Sequence, residues 1–371
     1  MNFAFAYGLW SVGARPFDLD RLWDDPRGLT GSEVSFFSFA REMASRGHGV
    51  AIFTRHRTRT PRTWEGCNVF DIEELHETST SHFDAVLSWN EPDILRRASP
   101  KAVRLVNQQL NDFDYCHPGY DGFVDVYTSP SAPHLEYIAS KTPSPDKWEV
   151  LSNGCDGSQY PDVPRVPGRV IYGSSPDRGL HLLLQEWPKI RRAVPHAHLK
   201  VFYNFESWFQ RMTGETYSHF PDVRECCHRA MYIREAMIRL RDHGVEHCHS
   251  ISRVQMAREM AEAEVLAYPC ETIRYTEGFS VTLMEACASG AMPVSSSVDS
   301  LGGIYGGVVP MVKAPARDNM GEFVDLVVRG LTDSGWRAKV TSKAEEFSFQ
   351  YEWSVLGDRL ESILKTKIAA K

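Results

Sequence analysis

The chain has 371 residues, 42% hydrophobic and 24% charged, with a formal charge of −7. That length allows two hydrophobic cores, and no apolar run approaches the roughly 20 residues of a membrane-spanning helix, so a transmembrane helix is excluded. The first 157 residues carry 15 Lys and Arg against 22 Asp and Glu and the remainder balances, which excludes a broad basic footprint for nucleic acid.

The opening stretch "NFAFAY" reads as a first buried strand rather than a leader, because it lacks a charged start and a small-residue cleavage pattern. A cytoplasmic location is therefore expected, and eight cysteines in no repeating frame are expected to stay reduced. Next, "GLTGSEV" forms a glycine turn that opens into a helix over "GSEVSFFSFAREMASRG". Val34, Phe37, Ala40, Met43 and Ala44 recur at spacings of three and four as a core-facing stripe, and Gly47 is placed to end the helix. Ser32 is the expected cap, with Glu33 in the first turn. Backbone N–H groups and the helix dipole at such a start suit phosphate oxygens near Gly31, although a helix cap without a ligand explains the same residues. The spacing is not the G-x-G-x-x-G of dinucleotide enzymes. After the strand "HGVAIFT", "RHRTRTPR" gathers Arg55, Arg57, Arg59 and Arg62, either a solvated loop or an anion-contacting rim. Strand-like runs follow in "CNVFDI", "FDAVLSW", "AVRLVN", "VDVYTS" and "WEVLSN". Strands alternating with helices predict a parallel, doubly wound sheet.

Gly and Pro cluster in "NGCDGSQYPDVPRVPGR", a linker over 153–169, after which the alternation restarts. The fold class expected is α/β, with two Rossmann-like domains at 1–157 and 158–349. A terminal amphipathic helix in 350–371, with Trp353, Leu356, Leu360 and Leu364 on one face, is expected to pack back on the first domain.

Three features of the second half point to an anionic ligand. In "YGSSPDRGLHLLLQEWPKI", Arg178 stands between a strand end and a helix start, where the helix dipole favours carboxylates, so an anion near Arg178 competes with a simple ion pair. In "EGFSVTLMEACASG", a helix led in by Gly278 and Phe279 and stopped by Gly290 buries Glu285 on an apolar face, where a carboxylate needs a hydrogen-bonded partner such as ribose hydroxyls. Glu277 falls just before that helix, beside the N–H groups of Phe279, Ser280 and Val281. Together these fit a nucleotide-sugar.

The pattern "EGFSVTLMEA", followed by "ASGAMPVSSS", resembles the E-x7-E signature of retaining glycosyltransferases with the GT-B fold, the family-4 group. "GSEVSFFSFAREMASRGHGVAIFT", "VLSNGCDGSQY" and "PDRGLHLLLQEWPKI" are similar to further elements of that family, in the same order along most of the chain. The resemblance implies two domains facing a cleft, a metal-independent sugar transfer from a nucleotide-sugar of UDP or GDP type, and no separate cofactor. It implies that Glu285 binds the nucleotide ribose, that Glu277 with the amides of Gly278 and Phe279 and with Ser280 holds the donor sugar, and that Arg178 contacts the diphosphate. Gly31 would let the first domain's loop approach, Ser252 and Arg253 would line the base, and Asp156 would be structural. The chain departs from the family at two places. Gly173 or Ser174 stands where an arginine is common, which makes Arg274 a candidate replacement; and Asn107, Gln108 and Gln109 stand where a histidine is common. Asn107 and Gln108, with Arg55 and Arg57, are assigned to the acceptor side. A carbohydrate or small-molecule acceptor is expected, a phosphorylated lipid or modified nucleic acid being the alternative.

Other classes compete. "DLD" at 18–20 and "DFD" at 112–114 match the D-x-D string of metal-dependent transferases, and "ECCHR" with "VEHCHS" raises a zinc-stabilised interaction protein, although their spacing is unlike structural zinc sites. A nucleotide-sugar epimerase or phosphorylase would share the fold. The stretch from Phe205 to Asp242 reads as a lid or as surface helices.

Overall fold

A computed structural model describes residues 1–8, 16–57, 63–110, 118–139, 141–142, 144–214 and 222–371. The chain divides into two compact units, the first formed by Met1–Asp25, Leu29–Gly154 and Gln350–Lys371, the second by Pro26–Gly28 and Cys155–Phe349.

Among the described residues the first unit holds eight strands: β1 (Asn2–Tyr7), β2 (Gly49–Thr54), β3 (Thr63–Trp64), β4 (Cys67–Phe70), β5 (Ala85–Trp89), β6 (Val103–Asn107), β7 (Val126–Ser129) and β8 (Trp148–Val150). Their order is β3-β4-β2-β1-β5-β6-β7-β8, parallel throughout except for β3 against β4. Helices α1 (Gly31–Ser45), α2 (Glu77–Thr80) and α3 (Ala132–Ala139) complete this part. Thr30, not Ser32, caps α1: its hydroxyl accepts from the N–H of Glu33 at 3.3 Å while the Glu33 carboxylate accepts from the N–H of Thr30 at 2.6 Å. This reciprocal pair satisfies two donors at once, which a serine already inside the first turn does not. The buried face of α1 is wider than the expected stripe, because Ser35, Phe36, Ser38 and Phe39 are buried as well. Phe36 and Phe39 pack on Trp89 of β5.

The second unit repeats the plan with β9 (Arg169–Tyr172), β10 (His198–Val201), β11 (Val245–His247), β12 (Val265–Tyr268), β13 (Met292–Ser296) and β14 (Met311–Val312) in the order β11-β10-β9-β12-β13-β14, all parallel. Its helices are α4 (Leu180–Ala193), α5 (Phe205–Thr213), α6 (Val223–Arg239), α7 (Arg253–Glu262), α8 (Val281–Ser289), α9 (Leu301–Tyr305), α10 (Met320–Thr332) and α11 (Ser334–Ser348). The strand order reverses at β9 and β12, so the loops that leave their carboxyl ends diverge and open a crevice, the usual ligand position in open α/β sheets.

The last helix, α12 (Trp353–Ala370), belongs to the first unit. Trp353, Leu356, Leu360, Ile363 and Leu364 enter the core that also contains Phe36 and Phe39, with Trp353 edge-on to Phe39 at 5.2 Å. Burial of five such side chains contributes on the order of 10 kcal/mol as an upper bound. Gly154 is needed for this contact, since a Cβ there would lie 2.7 Å from the Trp353 ring. Among the described residues no helix is long and apolar enough to cross a membrane.

Candidate functional site

The two diverging loops of the second sheet carry most of the expected residues. After β9, the chain turns through Arg178 into α4, capped by Gly179 at φ 102. Only glycine suits this position, because the left-handed backbone disfavours a side chain and a Cβ would collide with the carbonyl oxygen of Pro269 in the loop after β12. That close approach brings Arg178 to Glu277. The Arg178 guanidinium donates from Nη1 to Glu277 Oε1, and the carboxylate is only 3% exposed.

Each partner keeps an unused atom: Glu277 Oε2 and Arg178 Nε are buried with no hydrogen-bond partner among the described residues. A half-satisfied buried ion pair is costly unless something else completes it. Glu277 is nonetheless held firmly by its backbone. Its N–H and that of Thr276 donate to Asp299 Oδ2 at 3.0 and 2.9 Å, and its carbonyl accepts from Ser300 at 3.2 Å. Burial raises the Asp299 carboxyl above its ordinary range, against the pull of the Thr276 N–H.

α8 begins three residues past Gly278. Ser280 caps it from the left-handed region, at φ 64, with its hydroxyl accepting from Leu283 N–H at 3.3 Å. Tyr305 anchors this strained turn by donating to the Ser280 carbonyl at 3.0 Å. Strain held in place by neighbours is typical of ligand-binding loops. Thr282, in the first turn, donates to the carbonyl of Gly173 at 3.1 Å and so ties α8 to the β9 loop.

Glu285 lies one turn further on, and its buried partner in the structure is Arg253, whose Nη2 donates to Glu285 Oε1. Burial pulls the Arg253 guanidinium down, and the Glu285 carboxylate more than reverses this. Tyr160, half-buried, belongs to the same cluster. Burial around its hydroxyl, then the Glu285 carboxylate, push it well above the usual tyrosine range, so the phenol stays protonated. Ser252 caps α7, accepting from Gln255 N–H at 3.2 Å, which commits one of its two lone pairs to the helix. Arg274 is exposed on the loop three residues before Glu277.

In the first unit, Gly31 is the first residue of α1, and Ser32 donates to Gln109 Oε1 at 2.9 Å. Gln109 also donates to Ser35 Oγ at 3.1 Å and Asn153 Oδ1 at 2.6 Å, and Asn90 Oδ1 accepts from Gln109 N–H at 2.6 Å. Asn90 adopts φ 57 and is the hub of this neutral network. Asn107 is wholly buried, and neither of its amide atoms has a partner among the described residues; it offers no surface to an acceptor. Gln108 is buried too and donates to the carbonyl of Leu110 at 2.8 Å. Arg55 and Arg57 are exposed, their backbone paired with Phe17. Arg59 and Arg62 lie outside the described residues, as does "DFD" at 112–114. A cavity of this unit lined by Asn2, Phe53, Phe70 and Phe83 contains none of the expected site residues.

No family model matches the sequence, and no curated protein matches it. Solved structures align with the whole chain. Sucrose-phosphate synthase from Thermosynechococcus elongatus superposes with a TM-score of 0.71 at 14% identity, covering 100% of both chains. The fold is GT-B. HepE of Anabaena, solved in complex with UDP, has a TM-score of 0.68 at 13% identity over 99% of this chain and 100% of its own. WaaG, a glycosyltransferase involved in lipopolysaccharide biosynthesis, gives 0.62 at 12% over 98% and 99%.

On this GT-B frame, Arg178 with Glu277 and Arg253 with Glu285 are brought together in the second unit, whereas Gly31, Asn107, Gln108, Arg55 and Arg57 belong to the first. Sequence reasoning missed Asp299, Tyr160 and Asn90. The left-handed backbone of Asn90 and Asp299 leaves no trace in hydrophobic periodicity, although Asn and Asp are the side chains that tolerate it best. Among the described residues no group of three or more His, Cys, Asp or Glu side chains is arranged to hold a metal ion.

Proposed function

We propose that the protein is a retaining, metal-independent glycosyltransferase of family-4 type, which moves a sugar from a UDP- or GDP-sugar to an acceptor hydroxyl. The observation that carries this reading is the Arg178–Glu277 pair at the point where the second sheet's strand order reverses, each partner with one buried atom unsatisfied. A sugar hydroxyl donating to Glu277 Oε2 and a phosphate oxygen accepting from Arg178 Nε complete both partners at once. HepE, of the same fold, was solved with UDP and with UDP-glucose, which supports a nucleotide-sugar here.

In the reaction the bond from the anomeric carbon to the phosphate oxygen breaks, and the acceptor oxygen bonds to that carbon on the same face. The acceptor's proton passes to the leaving phosphate oxygen. Negative charge grows on the diphosphate in the transition state, where Arg178 and the start of α8 stabilise it without a metal. Arg253 and Glu285, with Tyr160, form the nucleoside end: Glu285 exchanges part of its bond with Arg253 for ribose hydroxyls. Gly278, Phe279 and Ser280 shape the sugar's seat, Ser252 borders the base, and Arg274 is a second cation for the diphosphate. The neutral Ser32–Asn90–Gln109 network favours a carbohydrate acceptor on the first unit, with Gly31 at its edge. Exposed Arg55 and Arg57 favour a phosphorylated acceptor as the second reading.

Incubation with UDP- and GDP-sugars, neutral saccharides and lipid phosphates, followed by product analysis, tests this. Acceptor-dependent release of nucleoside diphosphate and a product with the donor's anomeric configuration are expected. An inverted product removes retention, and no consumption of any nucleotide-sugar removes the function.

A further inference from the structure

α5 and α6, in the stretch between Phe205 and Asp242, are built around a buried cation that the proposed chemistry does not use. On α6, Cys226, Arg229, Ala230, Ile233 and Ala236 form the inward face, so Arg229 occupies a place where an apolar residue is normal. It is 3% exposed, and its donors are spent on specific acceptors. Nε donates to Glu225 at 2.8 Å, Nη1 to the carbonyls of Asp177 at 2.8 Å and Glu271 at 2.6 Å, and Nη2 to Glu271 Oε1 at 3.4 Å.

Those two carbonyls lie on the two diverging loops of the second sheet. Asp177 belongs to the loop after β9, and its carbonyl is half of the peptide that carries the N–H of Arg178. That N–H donates to the carbonyl of Ser175 at 3.0 Å, so the peptide plane leading into Arg178 is fixed at both ends. Glu271 is on the loop after β12 that runs on to Glu277. α5 adds a second hold: the buried Trp208 indole donates to Asp177 Oδ1 at 3.0 Å, and the same carboxylate accepts from Ser175 Oγ. Glu271 is itself tied to Arg317, whose N–H donates to Oε2 at 2.8 Å.

We propose that Arg229 is a positioning residue for the diphosphate: through Nη1 it locks the Arg178 loop to the Glu277 loop, and α5 and α6 serve as a brace behind the donor site rather than as a lid over it. This rests on the nucleoside-diphosphate reading above. A guanidinium suits the task because Nη1 reaches both loop carbonyls while Nε and Nη2, in the same rigid plane, are held by Glu225 and Glu271, an orientation that the single nitrogen of a lysine does not reproduce.

The test compares the nucleoside diphosphate among UDP, GDP and ADP that binds the wild type best with its own monophosphate, by calorimetry. The quantity read is the ratio of the two dissociation constants, which isolates the phosphate that Arg178 contacts. Arg229→Met is expected to shrink the diphosphate advantage about tenfold while changing monophosphate affinity less than twofold, and to add less than twofold in an Arg178→Ala background. Arg229→Lys is expected to behave like the methionine variant; full rescue by lysine would overturn the positioning role, as would equal losses for both nucleotides or losses that multiply in the double variant. If Arg229→Met does not fold, Trp208→Phe, which removes only the indole donor, is expected to shrink the advantage about threefold, and an unchanged ratio overturns the proposal. A wild type that binds none of the diphosphates overturns the underlying reading instead, and the proposal falls with it.

Discussion

The loops at the carboxyl ends of the two sheets are joined by different chemistry. In the second unit, the loops after β9 and β12 and the helices behind them meet through charge: Arg178 with Glu277, Arg253 with Glu285, Arg229 with Glu271. In the first, Ser32, Ser35, Asn90, Gln109 and Asn153 meet through neutral amides and hydroxyls. Similar backbone plans thus present ion pairs in the second unit and, around Gln109 in the first, a neutral network beside the buried Glu91 carboxylate, which accepts from Gly8 N–H at 2.9 Å. The ionic edge can trade carboxylate partners for phosphate oxygens at little net change in charge pairing, whereas the neutral network around Gln109 has no such exchange to offer an anion.

The comparison breaks most visibly at Glu277. Glu277→Gln keeps the shape and removes the charge, and turnover is expected to fall about 10²-fold or more with nucleotide affinity changed less than tenfold; equal losses in both would mean the residue only binds. Glu285→Ala strands the Arg253 guanidinium. A stability loss of about 3 kcal/mol is expected in chemical denaturation, with a marked loss of nucleotide binding. Arg178→Ala should weaken nucleoside diphosphate by about 1–3 kcal/mol and leave the monophosphate nearly untouched. On the neutral edge, Asn90→Ala removes the acceptor for the Gln109 and Leu110 N–H groups and puts alanine in a left-handed backbone. It should cost about 2 kcal/mol of stability while leaving nucleotide binding unchanged.

Acid stability is the property in which the two units respond in the same direction. Burial lowers His134 in the first unit from 6.5 to about 4 and His181 in the second from 6.5 to about 3. Both are held neutral in the folded state and free to protonate in the unfolded one. Their contribution is complete above pH 6.5 and is lost as pH falls from there toward 4 and then 3, which denaturation midpoints measured across that range will report.

The alternation of strands and helices was readable because parallel strands buried on both faces appear as short apolar runs, and glycines such as Gly290 mark where helices stop. Glu285 was legible for a related reason, since a carboxylate on an apolar helix face demands a partner. Which partner was not: Arg253 is 32 positions away and reaches Glu285 only because α7 packs beside α8. Thr30 took the cap expected of Ser32 because the capping box needs its acid three residues later, and Glu33 stands at that distance from Thr30 alone. Arg229 was hidden as one arginine among many in a polar stretch; only the fold shows that it points inward.

The most direct test of the central claim, that the ionic edge of the second unit holds a nucleoside diphosphate, is a calorimetric titration of the wild-type chain with UDP, GDP, ADP, CDP and dTDP and their monophosphates. One diphosphate should bind in the micromolar range and at least about tenfold more tightly than its monophosphate, as one charge-assisted contact requires. Binding of none of them, or of a diphosphate and its monophosphate with equal affinity, would contradict it.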